Sequence, residues 1–211
     1  MSGWLGVLPC RIGQIFITGE GDGKVALCHR DDVERSDLTI YQGPDFAAEL
    51  ARYDDTDAYR PLKTAPNLRH GWQLVLADLS QARLAVDYFY PGRGAAFRAW
   101  ENRDLRTTPL RETLGRQSGI YRVAAKISDG EADEVVGNFC RSDGGCLRTI
   151  LWKRDVAGAI ASNLLPASKF DPNFDQTGRG ENARPLLCQE ACNLVVAELR
   201  SAVKPTESRE T

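Results

Sequence analysis

The chain has 211 residues, a formal net charge of −2, and 42% hydrophobic against 27% charged residues, an ordinary balance for one large or two small globular domains. Its charges are interspersed, which gives no electrostatic footprint for nucleic acid, and no run of about 18 apolar residues exists to cross a membrane. The opening MSGWLGVLPCRIGQ lacks the basic and apolar regions of a signal peptide, so a cytoplasmic location is expected, where clustered cysteines favour metal over disulfides.

In chain order, residues 14–19 and 24–30 are β-rich runs around Glu20-Gly21-Asp22-Gly23, which predicts a hairpin. Residues 38–41 suit a third strand. Residues 45–53 suit a short helix with Phe46, Leu50 and Tyr53 on related faces. After a loop marked by Pro61, Pro66 and Asn67, large side chains alternate over 72–77 as in a strand. Ser80 is placed to cap a helix reaching Phe89, with Ala82, Ala85, Val86 and Phe89 on one stripe and Pro91-Gly92 as the stop.

A second segment begins near Pro109. Ser128 and Glu131 have the spacing of a capping box, and the stripe Ala132, Val135, Val136, Phe139 leads to Cys140 at the helix end. Asp143-Gly144-Gly145 turns the chain so that Cys146 points back, while Leu147–Trp152 is apolar but too short to assign. Residues 166–184 read as loop, a last helix is expected from about Cys188 to Val203, and 204–211 form a polar tail expected to be disordered.

Four cysteines in two pairs carry most of the chemical information. Cys140 and Cys146 form C-x5-C, and Cys188 and Cys192 form C-x3-C on what reads as one helical face. Four converging thiolates suit an iron–sulfur cluster or a structural zinc ion, and a lone buried cysteine is also a common core residue. Neither spacing is the common C-x2-C zinc knuckle, and the wider separation suits the larger [4Fe–4S] cube. Arg141, Arg148, Lys153 and Arg154 near the first pair, and a helix N-terminus at the second, would offset a negatively charged cluster. Cys10 and Cys28 are expected in ordinary structural positions.

Outside the cysteines, Arg60, Lys63, Arg69 and His70 with Tyr59 and Trp72 suggest a cationic, aromatic surface for an acidic planar molecule such as a tetrapyrrole. Arg116, Gln117, Tyr121 and Arg122 offer a second polar group, either bonding cluster sulfurs or capping the next helix. No nucleotide-binding, nucleophile-elbow or zinc-protease motif is present, and two histidines give hydrolysis little support.

The words YRPLKTAPNLRHGW (59–72), YFYPG (88–92), PLRETLGRQSGIYR (109–122), FCRSDGGCLRTILW (139–152) and PLLCQEACNLVVAELR (185–200) occur in a recognisable order. Over roughly residues 10–203 this succession resembles the iron–sulfur portion of a small family linked to sirohydrochlorin cobaltochelatases of the CbiX type. The resemblance implies a stabilising domain followed by a [4Fe–4S] cluster-binding domain, both able to sit behind chelatase-like domains. It places the cluster ligands at Cys140, Cys146, Cys188 and Cys192. This chain departs from longer members in lacking a chelatase domain, and it has only His29 and His70 for the metal-binding histidines such a chelatase needs.

The expected fold is therefore α+β. Residues 1–108 form a sheet-containing stabilising lobe and 109–203 a mainly helical four-cysteine lobe. The expected function is a cytoplasmic [4Fe–4S] protein for electron transfer or redox sensing, tied to tetrapyrrole or cobalamin chemistry. Its expected partner is a chelatase or another redox protein, with no nucleic acid and no membrane. The alternatives are a structural zinc-binding interaction module and a reductase acting on an acidic tetrapyrrole bound near Arg60–Trp72.

Overall fold

Strand-forming alternation dominates the first hundred residues, and helical stripes dominate the remainder of the chain. The computed structural model describes residues 5–140, 146–158 and 183–204. Its fold is α+β, and the chain divides into two compact units. The first takes the residues up to Asp104 and the stretch ending at Leu187. The second takes the residues from Leu105 and the stretch beginning at Cys188.

The first unit is built on strands β1 (Cys10–Ile12), β2 (Ile15–Gly19), β3 (Val25–His29), β4 (Thr39–Gln42), β5 (Trp72–Leu76) and β7 (Ala183–Arg184). Among the described residues they form a six-stranded sheet in the order β4-β5-β3-β2-β1-β7. The predicted hairpin is β2–β3, antiparallel with Ile17 opposite Leu27. β4 lies parallel to β5 at one edge, and β7 lies parallel to β1 at the other, with Arg11 opposite Ala183. Residues 183–184, read from the sequence as loop, are thus a sheet strand, because they complete the backbone hydrogen bonding of an otherwise open β1 edge.

Trp72, Leu74 and Leu76 point inward along β5, as strand alternation requires, and the Trp72 ring stacks on Phe89 with centroids 5.3 Å apart. Helix α1 (Phe46–Leu50) precedes β5, and α2 (Leu79–Phe89) follows it. The buried residues of α2 are Ala82, Ala85, Val86 and Phe89, the predicted stripe. Its cap is Asp78 rather than Ser80: the helix begins one residue before the serine, and the Asp78 carboxylate accepts from the Ser80 and Gln81 amides at 2.7 and 2.9 Å.

After α2 the chain reverses at Gly92, whose φ of +72° is in the left-handed region, and enters α3 (Arg93–Glu101), which sequence periodicity did not reveal. Gly13 is a second obligatory glycine. Its φ is +55°, and a Cβ there would sit 2.6 Å from the Tyr90 hydroxyl oxygen, which accepts the Gln14 amide at 2.8 Å. Burial pushes that phenol up to about 12.

The second unit contains α4 (Leu110–Gly115), a 3-10 helix over Gly119–Lys126, α5 (Asp129–Cys140), β6 (Thr149–Ile150) and α6 (Asn193–Val203). β8 (Leu187–Cys188) pairs with β6 in a separate two-stranded sheet. Leu110, Leu114, Ala124, Ala132, Val136, Val195, Val196 and Leu199 share one apolar core. The predicted capping box is present, with the Glu131 amide donating to Ser128 Oγ and the Ser128 amide to Glu131 Oε2. The predicted tail beyond Lys204 lies outside the described residues. No helix among the described residues is long and apolar enough to cross a membrane.

Candidate metal centre

Helix α5 delivers the first cysteine. Ala132, Val136 and Cys140 recur at four-residue spacing, so one buried face of the helix ends at a sulfur. The Asp143-Gly144-Gly145 turn and Arg141 lie outside the described residues. Cys146, the next described residue, is half-buried.

The second pair is arranged differently from the expected helical face. Cys188 belongs to β8, and α6 starts only at Asn193, with Cys192 as its extended N-cap. Two long-range backbone bonds hold this stretch out of helix: the Leu151 amide donates to the Cys188 carbonyl at 2.9 Å, and the Thr108 amide donates to the Gln189 carbonyl at 2.9 Å. Helical propensity over five residues is too weak to compete with such tertiary pairing. Cys192 therefore stands at the positive end of the α6 dipole, which suits a negatively charged bound group.

Cys140 and Cys188 are both core members of the second unit, each 8% exposed, and Cys192 packs against the same core. Trp152 is fully buried among them, and its indole N–H donates to the Cys188 sulfur at 3.2 Å. The Cys188 thiol in turn donates to the Glu190 carbonyl at 3.3 Å. Such a pocket supplies thiolate ligands, an N–H donor and an apolar wall, which suits an iron–sulfur cluster.

Three potential ligands gather within 4.8 Å among the described residues at His29, Asp31 and His70, and no three of the cysteines do. In the His29 group the Asp31 amide donates to Nδ1 at 3.2 Å and Gln14 Nε2 lies 2.9 Å from Nε2, so both ring nitrogens are already engaged within the protein. The Gln14 orientation is set because its Oε1 accepts the Leu68 amide at 3.1 Å.

The flanking cations are largely engaged. Arg154 pairs with Asp129 at 3.1 Å, and Arg111 bonds the same carboxylate. Arg116 is the C-cap of α4, and its guanidinium pairs with Glu190 at 2.7 Å, bracing the turn between Cys188 and Cys192 and holding the Glu190 carboxyl below its usual range. Gln117 donates to the Thr113 carbonyl, Arg200 lies over the Tyr121 ring at 4.8 Å, and Arg122 is exposed. Of the basic residues near the first pair, Arg148 is half-buried and Lys153 is exposed.

The expected cationic, aromatic surface at 59–72 is corrected. Arg60 is 1% exposed, and its guanidinium donates to Asn67 Oδ1 and to the Lys63 and Ala65 carbonyls, clipping its own loop. Trp72 is buried in β5, and Lys63 caps the Ala51 carbonyl. Tyr59, with Lys63 Nζ 5.0 Å from its ring centroid, remains at the surface with His70 and with Arg69, which pairs with Asp57 at 3.5 Å, so the correction concerns Arg60 and Trp72.

Cys10 and Cys28 occupy β1 and β3, and burial pushes each thiol up to about 11, which keeps them protonated and unreactive. Sequence reasoning missed Trp152 as a sulfur partner. It read residues 147–152 only as an apolar wall or plain core, and an N–H that meets a sulfur 36 residues away leaves no local signal.

Residues 102–201 match the 4Fe-4S iron-sulfur cluster binding domain, and residues 3–114 match the DR2241 stabilising domain. The solved structure of DR2241 from Deinococcus radiodurans is 28% identical and superposes with a TM-score of 0.71 over 91% of this chain. It is described as a multi-domain protein with structural similarity to chelatases and two additional novel domains. This chain spans 38% of that protein's length. No curated protein matches.

Proposed function

Because this chain belongs to the family of the DR2241 stabilising domain, joined here to a 4Fe-4S iron–sulfur cluster binding domain, we propose that Cys140, Cys146, Cys188 and Cys192 hold one [4Fe–4S] cluster for electron transfer or redox sensing. The observation that carries this reading is the convergence of Cys140 and Cys188, from a helix end and a strand, into one apolar core with Cys192 packed against it. When bound, the cluster supplies a one-electron couple. The apolar residues around the sulfurs exclude water, the α6 N-terminus offsets the negative charge of a bound cluster, and the Arg116–Glu190 pair keeps the Cys188–Cys192 turn in place.

The proposed setting is the cytoplasm, in tetrapyrrole or cobalamin chemistry, with a chelatase-like protein or domain, or another redox protein, as partner. The described chelatase similarity of DR2241 supports that choice. Metal insertion is not assigned to this chain.

The test is the iron, sulfide and zinc content of anaerobically purified protein beside a Cys188→Ser/Cys192→Ser variant. About four irons and four sulfides per chain, lost in the variant and bleached by dithionite in the parent, is the expected result. Zinc alone, or no metal with normal folding, would sink the proposal.

A further inference from the structure

Trp152 is buried completely, and a buried indole N–H needs an acceptor. The acceptor it meets is the Cys188 sulfur, at 3.2 Å. A neutral thiol accepts weakly, whereas a metal-bound thiolate carries negative charge and accepts strongly. The adjacent residue, Leu151, donates its amide to the Cys188 carbonyl at 2.9 Å. Two successive residues therefore grip both the backbone and the sulfur of one cysteine. Ligation removes the thiol proton now given to the Glu190 carbonyl, but it leaves the sulfur free to accept from Trp152.

We propose that Trp152 is a positioning residue for the cluster: its indole N–H orients the Cys188 sulfur as a ligand and raises the reduction potential. This rests on the proposed cluster at the four cysteines. Reduction adds one electron, and so one negative charge, to the ligated sulfurs and irons. A donor fixed on one sulfur stabilises that charge more than the oxidised state.

The test compares the anaerobic protein with Trp152→Phe, which keeps an aromatic ring and removes the N–H. Iron and sulfide are assayed in both, and the midpoint potential is read from a dithionite titration followed by electron paramagnetic resonance. The expected result is full iron in both and a lower potential in W152F. An unchanged potential in a folded, iron-loaded variant would overturn the inference. If W152F does not fold, the unaltered protein is labelled with indole-¹⁵N tryptophan and its reduced cluster is examined by electron–nuclear double resonance. An indole ¹⁵N coupling with a D2O-exchangeable proton supports the bond, and its absence overturns it. Iron missing from the unaltered protein would overturn the cluster reading and this inference with it. Iron present with an unmoved potential would overturn the Trp152 role alone.

Discussion

His29 lies at the centre of the first unit's polar interior, its ring 3.8 Å from that of His70 and its nitrogens facing Gln14 and the Asp31 amide. Burial, followed by the His70 charge, lowers its pKa to about 4 from an ordinary 6.5. The folded protein thus refuses a proton that the unfolded chain takes up below pH 6.5. Stability from this group is complete above that pH, declines as pH falls toward about 4, and then levels off. The loss is expected to reach on the order of 3 kcal/mol. Denaturant unfolding at several pH values should show this slope, and His29→Gln should flatten it; an equal slope in the variant would refute the assignment. Arg60 is the complementary case, a buried cation whose guanidinium serves two carbonyls and Asn67. Arg60→Met is expected to cost roughly 2–3 kcal/mol, because those acceptors lose their donor in the interior. A loss below about 0.5 kcal/mol would place Arg60 among ordinary surface residues instead.

Helix ends decide where the sulfurs stand. The Ser128–Glu131 box fixes the start of α5, and its length then carries Cys140 to the last buried position. At α6 the order is reversed, and the cysteine itself is the cap. Serine is a preferred N-cap, so Cys192→Ser should leave helix content by circular dichroism unchanged while iron content drops. Iron retained at the level of the parent would remove Cys192 from the ligand set. The capping box and the α5 stripe are readable from the sequence because both act within four residues along one helix. The strand at Cys188 is not, because its partner amide belongs to Leu151.

At the scale of the molecule, the first unit borrows β7 from late in the sequence to close the β1 edge. A fragment of residues 1–104 leaves that edge bare, and it is expected to self-associate in light scattering where the full chain does not. A monomeric fragment would show that β1 tolerates exposure. The resemblance to a stabilising domain followed by a cluster-binding domain, the α+β class, the β2–β3 hairpin, the α2 and α5 stripes and the four-cysteine candidate set were all legible in the sequence. The domain order came from the resemblance alone, whereas the hairpin, the stripes and the cysteine pairs depend on residue type and short-range spacing, which the chain carries by itself. The tertiary structure decided which cations face inward, that Trp72 is core and not platform, that Cys188 sits in a strand, and that the Trp152 N–H meets its sulfur. Those outcomes turn on which distant segment covers a side chain and satisfies its polar atoms, and only the packed chain determines that.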